Sequence, residues 1–411
     1  MKTEILANIN QPEQLEKMYR NNKSGFRKAF GELDLNQMDR NLASFWNARL
    51  SFNKEEGDWV NSKDLIRILL LAVLAGLLAR IPDIFSIEEE FYYSRNLGFI
   101  LFPALILFFG WKRQLSIRSI AGLSISIITS LVFINWLPGN SSTDTVVLSS
   151  IHMILFLWSL LGFTFIGGKM GPAENRLEFL RYNGDLVVMT TLILIAGGIL
   201  TGVTIGLFSL IGFNIEEFYF KHIVVSCLPA APILATWLIQ TNPQLVGRVS
   251  PVIARLFSPL VLVMLIIYLG AILYSGKDPY NDREFLLMFN GLLIGVMAIL
   301  FFSVAENSRS KKSVIETWML FLLAAITVIV NGIALSAILF RIAEWGITPN
   351  RAAVLGGNML ILLNLVIVTI QLFGVVRKKA DFTSVSNAIA LYLPVYFIWT
   401  IIVTFLFPIF F

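Results

Sequence analysis

The segment RIAEWGITPNR, residues 341–351, joins two long apolar stretches and carries the charged side chains Arg341, Glu344 and Arg351. Arginine binds phosphate and carboxylate groups through a planar fork of N–H donors. Free N–H groups at a helix start favour the same anions. The segment predicts either an anion site, for a ligand such as a lipid headgroup, or a structural clasp in which Glu344 reaches both arginines. The sequence leaves both alternatives open.

The same residues predict a tight helical hairpin. Gly346 suits the position after a helix end, Thr348 suits the N-cap of the next helix, and Pro349 suits its first turn. Glu344 then lies in the last turn of one helix and Arg351 in the first turn of the next. Both charges oppose the helix dipole, so we expect compensating contacts around the turn.

Other residues with catalytic or metal-binding chemistry are few. The chain has two histidines, His152 and His222, and one cysteine, Cys227, and they form no zinc-type spacing. A Gly-x-Ser-x-Gly elbow and a phosphate-binding loop are also absent from the sequence. We therefore predict no catalytic residue, no metal site and no cofactor, and we expect His152 to form a hydrogen bond between helices.

The elements that position these residues follow from composition, since 56% of the residues are hydrophobic and only 14% are charged. Apolar runs of about 20 residues can cross a bilayer as helices. Continuous runs favour helices over the alternating strands of a barrel. The predicted fold is an all-α polytopic transmembrane helical bundle of about eleven spans. The predicted spans are 65–81, 97–111, 117–137, 146–168, 186–213, 223–240, 259–274, 286–304, 318–340, 353–376 and 388–410.

Lysine and arginine counts predict the orientation, because cytoplasmic loops are enriched in both. One set of connections, 112–118, 169–185, 241–258, 305–317 and 377–387, holds 3, 3, 2, 3 and 3 basic residues. The other set, 80–96, 138–145, 214–222, 275–285 and 341–352, holds 2, 0, 1, 2 and 2. The first set is predicted to be cytoplasmic, with the amino terminus inside and the carboxyl terminus outside. The basic balance thus reflects topology and does not indicate nucleic-acid binding.

Residues 1–64 are predicted to form a small helical cytoplasmic segment, and residues 65–411 the transmembrane domain. Helices are expected at PEQLEKMYR, which begins at Pro12, and at DLNQMDRNLASFWNARL, residues 34–50. This segment packs either on itself and inner loops or, through residues 12–50, on a cytoplasmic protein partner. No signal-peptide pattern opens the chain, so the first span is expected to be the targeting signal.

The predicted spans contain neutral polar residues and almost no charge, which argues against proton-relay transport. The neutral set is Asn135, Asn290, Asn331, Asn358, Asn364 and Gln371. A cavity lined by Asn331, Asn358, Asn364 and Gln371 would pass a small solute. The alternative is hydrogen bonding between helices.

Two spans carry residues typical of close packing or of a hinge. Gly198, Gly202 and Gly206 repeat every four residues, which is typical of helices whose backbones approach closely. Pro229 and Pro232 should kink or break the sixth span. Together the two spans could also form a binding site of the discontinuous-helix kind.

The stretches RIAEWGITPNR, AVLGGNMLILLN and RIPDIF…FYYSRNLGF resemble an uncharacterised bacterial family of multi-pass membrane proteins, the domain of unknown function 4153. The resemblance covers roughly residues 65–411, and Trp345 departs from the tyrosine common in that family. It implies a location in the bacterial inner membrane and supplies no catalytic residue.

Three classes of function are consistent with these patterns. The first is a permease-like or lipid-handling protein whose partners are membrane lipids. The second is a membrane scaffold or signalling component that recruits a cytoplasmic protein through its N-terminal helices. The third is an enzyme that acts on lipid-linked or envelope substrates through Arg341, Glu344 and Arg351.

Overall fold

The computed structural model describes most of the chain, and all of its regular elements are helices. The described residues are 2–8, 11–21, 23–31, 33, 44–46, 48–50, 62–138, 143–169, 171–210, 213–242, 258–267, 269–270, 283–307 and 314–411. They divide into two compact units, Met1–Leu65 and Ile66–Phe411.

The first unit has a core of its own. Its helices are α1, Lys2–Ala7, α2, Pro12–Asn21, and α3, Lys23–Gly31. Their apolar faces enclose Leu15, Phe26 and Phe30, and Trp46 packs against the same group. Of the second predicted helix, residues 44–46 and 48–50 are helical, and Leu35, Met38 and Leu42 lie outside the described residues.

The second unit consists mainly of apolar helices. They are α4, Ser62–Ala79; α5, Ile81–Phe85; α6, Glu89–Lys112; α7, Ile117–Trp136; α8, Asp144–Phe165; α9, Ala173–Leu210; α10, Glu216–Thr241; α11, Ser258–Ile267; α12, Arg283–Asn307; α13, Val314–Trp345; α14, Pro349–Val376; and α15, Phe382–Phe410. By "basic end" we mean the end of this bundle formed by the turns at 112–117, 165–173 and 376–382.

Eight helices among the described residues are long and apolar enough to cross a membrane: α6 to α10 and α13 to α15. The chain is therefore a multi-pass helical membrane protein. Three of the eleven predicted spans fall on α4, α11 and α12 and lie outside these eight. Helix α4 starts with charged residues such as Asp64, and only ten residues of α11 form a described helix. Eleven spans thus stay a prediction, and the structure shows eight helices that are long and apolar enough to be spans.

Two hydrophobic cores fill the bundle, and two helices contribute to both. Phe109, Leu157 and Leu161 lie in the core formed by α4 and α6 to α10. Leu265 and Leu365 lie in the core formed by α11 to α15. Helices α9 and α15 contribute residues to both cores, and the two helices also contact each other. These two helices connect the halves of the bundle.

Proline interrupts backbone hydrogen bonding in several helices, and neighbouring helices supply the missing donors. Pro394 has no N–H for the carbonyl of Ala390, four residues earlier in α15. Arg176 of α9 donates to that carbonyl at 3.2 Å. Such replacement is what allows a proline inside a membrane, where water cannot satisfy the freed group.

The carboxyl-terminal end of α15 repeats this arrangement. Pro408 leaves the carbonyl of Thr404 without its helical donor, and this stretch, Ile402–Leu406, is a π-helical turn. Ser149 of α8, which is fully buried, donates its hydroxyl to the Thr404 carbonyl at 2.7 Å. Helix α15 is therefore hydrogen-bonded to α9 at one level and to α8 at another.

The FYYSRN segment at the start of α6 satisfies backbone groups of two other helices. Tyr92 donates to the carbonyl of Leu78, which lacks a helical donor because Pro82 lies four residues later, and Tyr93 donates to the carbonyl of Ala79. The distances are 2.8 and 2.7 Å. The two tyrosines thus cap the end of α4.

Arg95, in the same segment, caps the carboxyl-terminal end of α7. It is only 2% exposed and donates to the carbonyls of Ile134 at 2.7 Å and Leu137 at 3.0 Å. A cation at the carboxyl end of a helix is also favoured by the helix dipole. The sequence pattern placed Arg95 in the connection 80–96, whereas α6 begins at Glu89 and carries Arg95 into the bundle.

Helix α10 is interrupted at Pro229, as the prolines in this segment predict. The α-helix ends at Cys227 and resumes at Ala230, with Pro229 at the N-cap of the second part and a π-helical turn, Tyr219–Val224, in the first. Pro232 lies in the first turn of the second part, where its missing N–H leaves no helical bond unmade.

Candidate functional site

The connector between α13 and α14 has the predicted turn. Gly346 has a φ of +74°, the left-handed conformation that glycine adopts without strain. The Thr348 side chain accepts a hydrogen bond from the backbone N–H of Arg351, and Pro349 occupies the first turn of α14. The hairpin prediction is confirmed in these details.

The charges of the connector pair differently from the prediction. Arg351 donates through Nη1 to the carbonyls of Trp345, at 2.9 Å, and Gly346, at 2.7 Å. The guanidinium groups of Arg341 and Arg351 lie 5.5 and 5.7 Å from the ring of Trp345. Among the described residues, neither arginine forms an ion pair with Glu344. The free carbonyls at the end of α13 accept the hydrogen bonds that the clasp alternative assigned to the Glu344 carboxylate.

We expect Arg351→Ala to lower the free energy of unfolding by about 1–2 kcal/mol, because two carbonyls lose their charged donor. Glu344→Ala should change it by less than about 0.5 kcal/mol. Thermal unfolding of both variants and of the double variant in detergent measures their coupling. A coupling energy near zero is expected, and one above about 0.5 kcal/mol would show that Glu344 and Arg351 interact as in the clasp alternative.

The neutral polar residues lie at helix contacts. Asn331 of α13, which is 0% exposed, donates to the backbone carbonyl of Asn358 at 3.1 Å, and the amide of Asn358 donates to Asn290 Oδ1 at 2.8 Å. Asn364 donates to the hydroxyl of Tyr396 at 3.1 Å. These bonds connect α12, α13, α14 and α15.

The structure brings the predicted polar set together as interhelical hydrogen bonds rather than as the lining of a described cavity. Gln371, the fourth member, is half-buried and makes no described hydrogen bond. At the other end of the chain, Asn135 and Asn96 exchange amide hydrogen bonds at 2.8 and 2.9 Å. The amide N–H groups of Asn331, Asn358 and Asn364 thus donate hydrogen bonds between helices, as in the hydrogen-bonding alternative.

The glycine stripe of α9 does not pack within the described chain. A Cβ placed at Gly198, Gly202 or Gly206 would meet no atom within 4 Å. Instead, close approach occurs at Gly76, where a Cβ would come within 2.6 Å of the Ser226 carbonyl, and at Gly356, where it would overlap the indole of Trp399. Spacing alone did not identify Gly76 and Gly356, because packing depends on which face meets a neighbour.

The two histidines and the cysteine lie in α8 and α10. In the described part of the chain, no group of three His, Cys, Asp or Glu side chains comes together. His152 Nδ1 lies 2.9 Å from the carbonyl of Leu148 in its own helix, and His222 Nδ1 lies 2.8 Å from Arg80 Nη2. Cys227 is exposed.

A cavity of about 540 Å³ opens between α7, α8, α9 and α15 near the basic end. This volume is within the range of about 300–1,000 Å³ that is common for small-molecule sites. Its walls are mainly aromatic and aliphatic. They include Leu123, Trp158, Leu160, Phe163, Phe179 and Phe397.

The hydroxyl groups in the cavity do not make its walls polar. Ser126 donates to the carbonyl of Gly122 at 2.8 Å, and Ser159 donates to that of Leu155 at 2.9 Å. Both hydroxyl hydrogens are thus taken up within their own helices. The interior of the cavity is suited to an apolar occupant.

Two arginines line the cavity toward the basic end. Arg118, in the first turn of α7, is exposed, and Arg176, in the first turns of α9, is half-buried. None of the described residues that line the cavity is acidic. The site therefore combines an apolar interior with a positively charged end.

Sequence reasoning missed this cavity, since its walls come from helices separated by up to about 280 residues. One signal was available in α7, where Arg118, Gly122 and Ser126 repeat every four residues and place small or polar side chains on one face. Gly122 leaves that wall open, because a Cβ there would meet no atom within 4 Å.

No protein-family model, no curated protein and no solved structure matches the chain. The resemblance carried by residues 80–99 and 341–364 therefore stays a prediction.

Proposed function

We propose that this multi-pass helical membrane protein is a lipid-handling protein that holds the acyl part of a membrane lipid in the cavity between α7, α8, α9 and α15. The apolar, aromatic lining of this cavity is the observation that carries the proposal. Lipid chains are the most abundant apolar molecules at this depth. Residues such as Leu160 and Phe397 offer them a surface without unpaired polar groups.

The proposal places the basic end on the cytoplasmic side of a bacterial inner membrane. It rests there on the excess of lysine and arginine in the connections at this end. The cavity would then face the inner leaflet, since it is lined by the first turns of α7 and the last turns of α8. The outer connector at Arg351 has a structural part in this proposal, because its guanidinium is bonded to backbone carbonyls.

Gly122→Phe tests the proposal, because Gly122 lines the cavity and a Cβ at this position meets no atom within 4 Å, so the added phenyl group takes up cavity space. Excluding two methylene groups of a bound chain costs about 1.6 kcal/mol, which is roughly a tenfold loss of affinity. The readout is quenching of Trp158, which lines the cavity, by lipids with brominated acyl chains. The signal of Trp158 is the difference between each protein and its Trp158→Phe counterpart, since the chain has nine tryptophans.

Gly198→Phe is the matched control, since a side chain at Gly198 also meets open space but lies outside the cavity. We expect its quenching to equal that of the parent protein. Removing residues 1–60 should also leave the quenching unchanged. Equal quenching in Gly122→Phe and the parent protein would show that no chain occupies the cavity.

A further inference from the structure

The two ends of the cavity differ in charge, which bears on the headgroup of its occupant. Arg118 and Ser126 are eight residues apart on α7, a distance of about 12 Å along the helix axis. Arg118 is at the basic end, whereas Leu393 and Phe397 of α15 line an apolar wall. A molecule with a charged head and an apolar tail fits this gradient in one orientation only.

Arg118 is the residue available to a headgroup. It is exposed and forms no hydrogen bond or ion pair with a described residue. Arg176 lines the same cavity, but its Nη1 already donates to the carbonyl that Pro394 frees at Ala390. Glu174 and Glu178 are exposed on α9 and do not line the cavity. The free fork of Arg118 is therefore the polar contact that the site offers to an incoming anion.

Resting on the lipid-handling function proposed above, we infer that the occupant is an anionic phospholipid whose phosphate-bearing headgroup binds Arg118. A guanidinium group holds phosphate oxygens through two parallel hydrogen bonds. In a zwitterionic headgroup, the lipid's own cation partly neutralises the phosphate charge and so weakens its attraction to the guanidinium group. The lipid enters from the leaflet at the basic end, with its chain against Trp158 and Phe397. Arg176 keeps its bond to Ala390 and adds positive potential at the mouth.

The test compares brominated phosphatidylglycerol with brominated phosphatidylcholine in vesicles or nanodiscs, by quenching of Trp158 in the full chain. We expect the parent protein to bind the anionic lipid about fivefold more tightly, the effect of one basic residue near a lipid phosphate. Arg118→Gln should reduce this ratio to nearly one without weakening phosphatidylcholine binding. Lys169→Gln, which removes an exposed charge at the same end outside the cavity, should keep the ratio.

The outcomes separate the headgroup from the function on which it rests. An unchanged ratio in Arg118→Gln, with quenching still lost in Gly122→Phe, overturns the headgroup inference and leaves lipid binding in place. Quenching in Gly122→Phe equal to that of the parent protein overturns both. Displacement of the brominated lipid by soluble glycerol phosphate would also overturn the inference, because the site would then recognise a free phosphate ester rather than a lipid.

Discussion

Gly356→Ala is expected to lower the free energy of unfolding by about 1–3 kcal/mol, the usual cost of inserting a methyl group into a packed core. A Cβ at Gly356 of α14 overlaps the indole ring of Trp399 on α15. Trp399 cannot easily move aside, since it packs with Phe407 and with the buried Ala353 and Val403. The steric loss exceeds the gain of about 1 kcal/mol that alanine has over glycine inside a helix.

The adjacent glycine gives the matched control. At Gly357 a Cβ would have its nearest neighbour, Trp399 Nε1, at 3.8 Å, an ordinary contact. We expect Gly357→Ala to be neutral or stabilising in thermal or chemical unfolding in detergent. Trp399→Leu should restore most of the loss in Gly356→Ala, because the smaller side chain makes room. Equal stability of the two alanine variants would refute the close approach of α14 and α15 at this level.

Arg95→Met should destabilise the protein by about 2–3 kcal/mol, the second large effect that we expect. Methionine keeps most of the apolar stem but removes the charged donor from the carbonyls of Ile134 and Leu137. Hydrogen bonds from a charged group are worth about 1.5–3 kcal/mol, and the carbonyls stay buried when their donor is lost.

Arg118→Met is the control for this substitution, because it makes the same chemical change at an exposed position in the first turn of α7. We expect its unfolding midpoint to stay close to that of the parent protein. If Arg95→Met unfolds at the same denaturant concentration as Arg118→Met, Arg95 has no capping role at α7.

Local chemistry made part of this structure predictable from the sequence. Gly346, Thr348 and Pro349 specify their turn through backbone conformation and capping alone, and no distant residue is needed. The helical class follows in the same way from the length and continuity of the apolar runs. The number of spans follows less directly from the sequence, since the apolar runs on α4, α11 and α12 were predicted as spans but lie outside the eight long apolar helices.

The contacts between helices were not predictable, because they depend on rotation about each helix axis. A proline identifies which carbonyl loses its donor, four residues earlier, but it does not identify the replacement. Arg176 for Ala390 and Ser149 for Thr404 become evident only when the helices are assembled. The cavity was not predictable for the same reason, since it exists only where four helices come together and no single helix indicates it.

The stretches 80–99 and 341–364 have a physical role that needs no function to explain it. Arg95 caps α7, Arg351 caps α13, and Gly356 receives Trp399. Each is a helix-to-helix contact at an interface or at a turn. The residues of the cavity, such as Arg118 and Gly122, lie outside these stretches.

The hydrogen bonds from Arg176 and Ser149 constrain how the bundle can rearrange. Both bonds end on carbonyls of α15, from α9 at one level and from α8 at another, so turning α15 about its own axis breaks both of them at once. Swivelling of this helix is therefore disfavoured relative to sliding or tilting in concert with its two neighbours. A change in the width of the cavity, which α7 shares with these three helices, is accordingly expected to come from displacement of α7, whose described hydrogen bonds to other helices go to α6 and not to α8, α9 or α15.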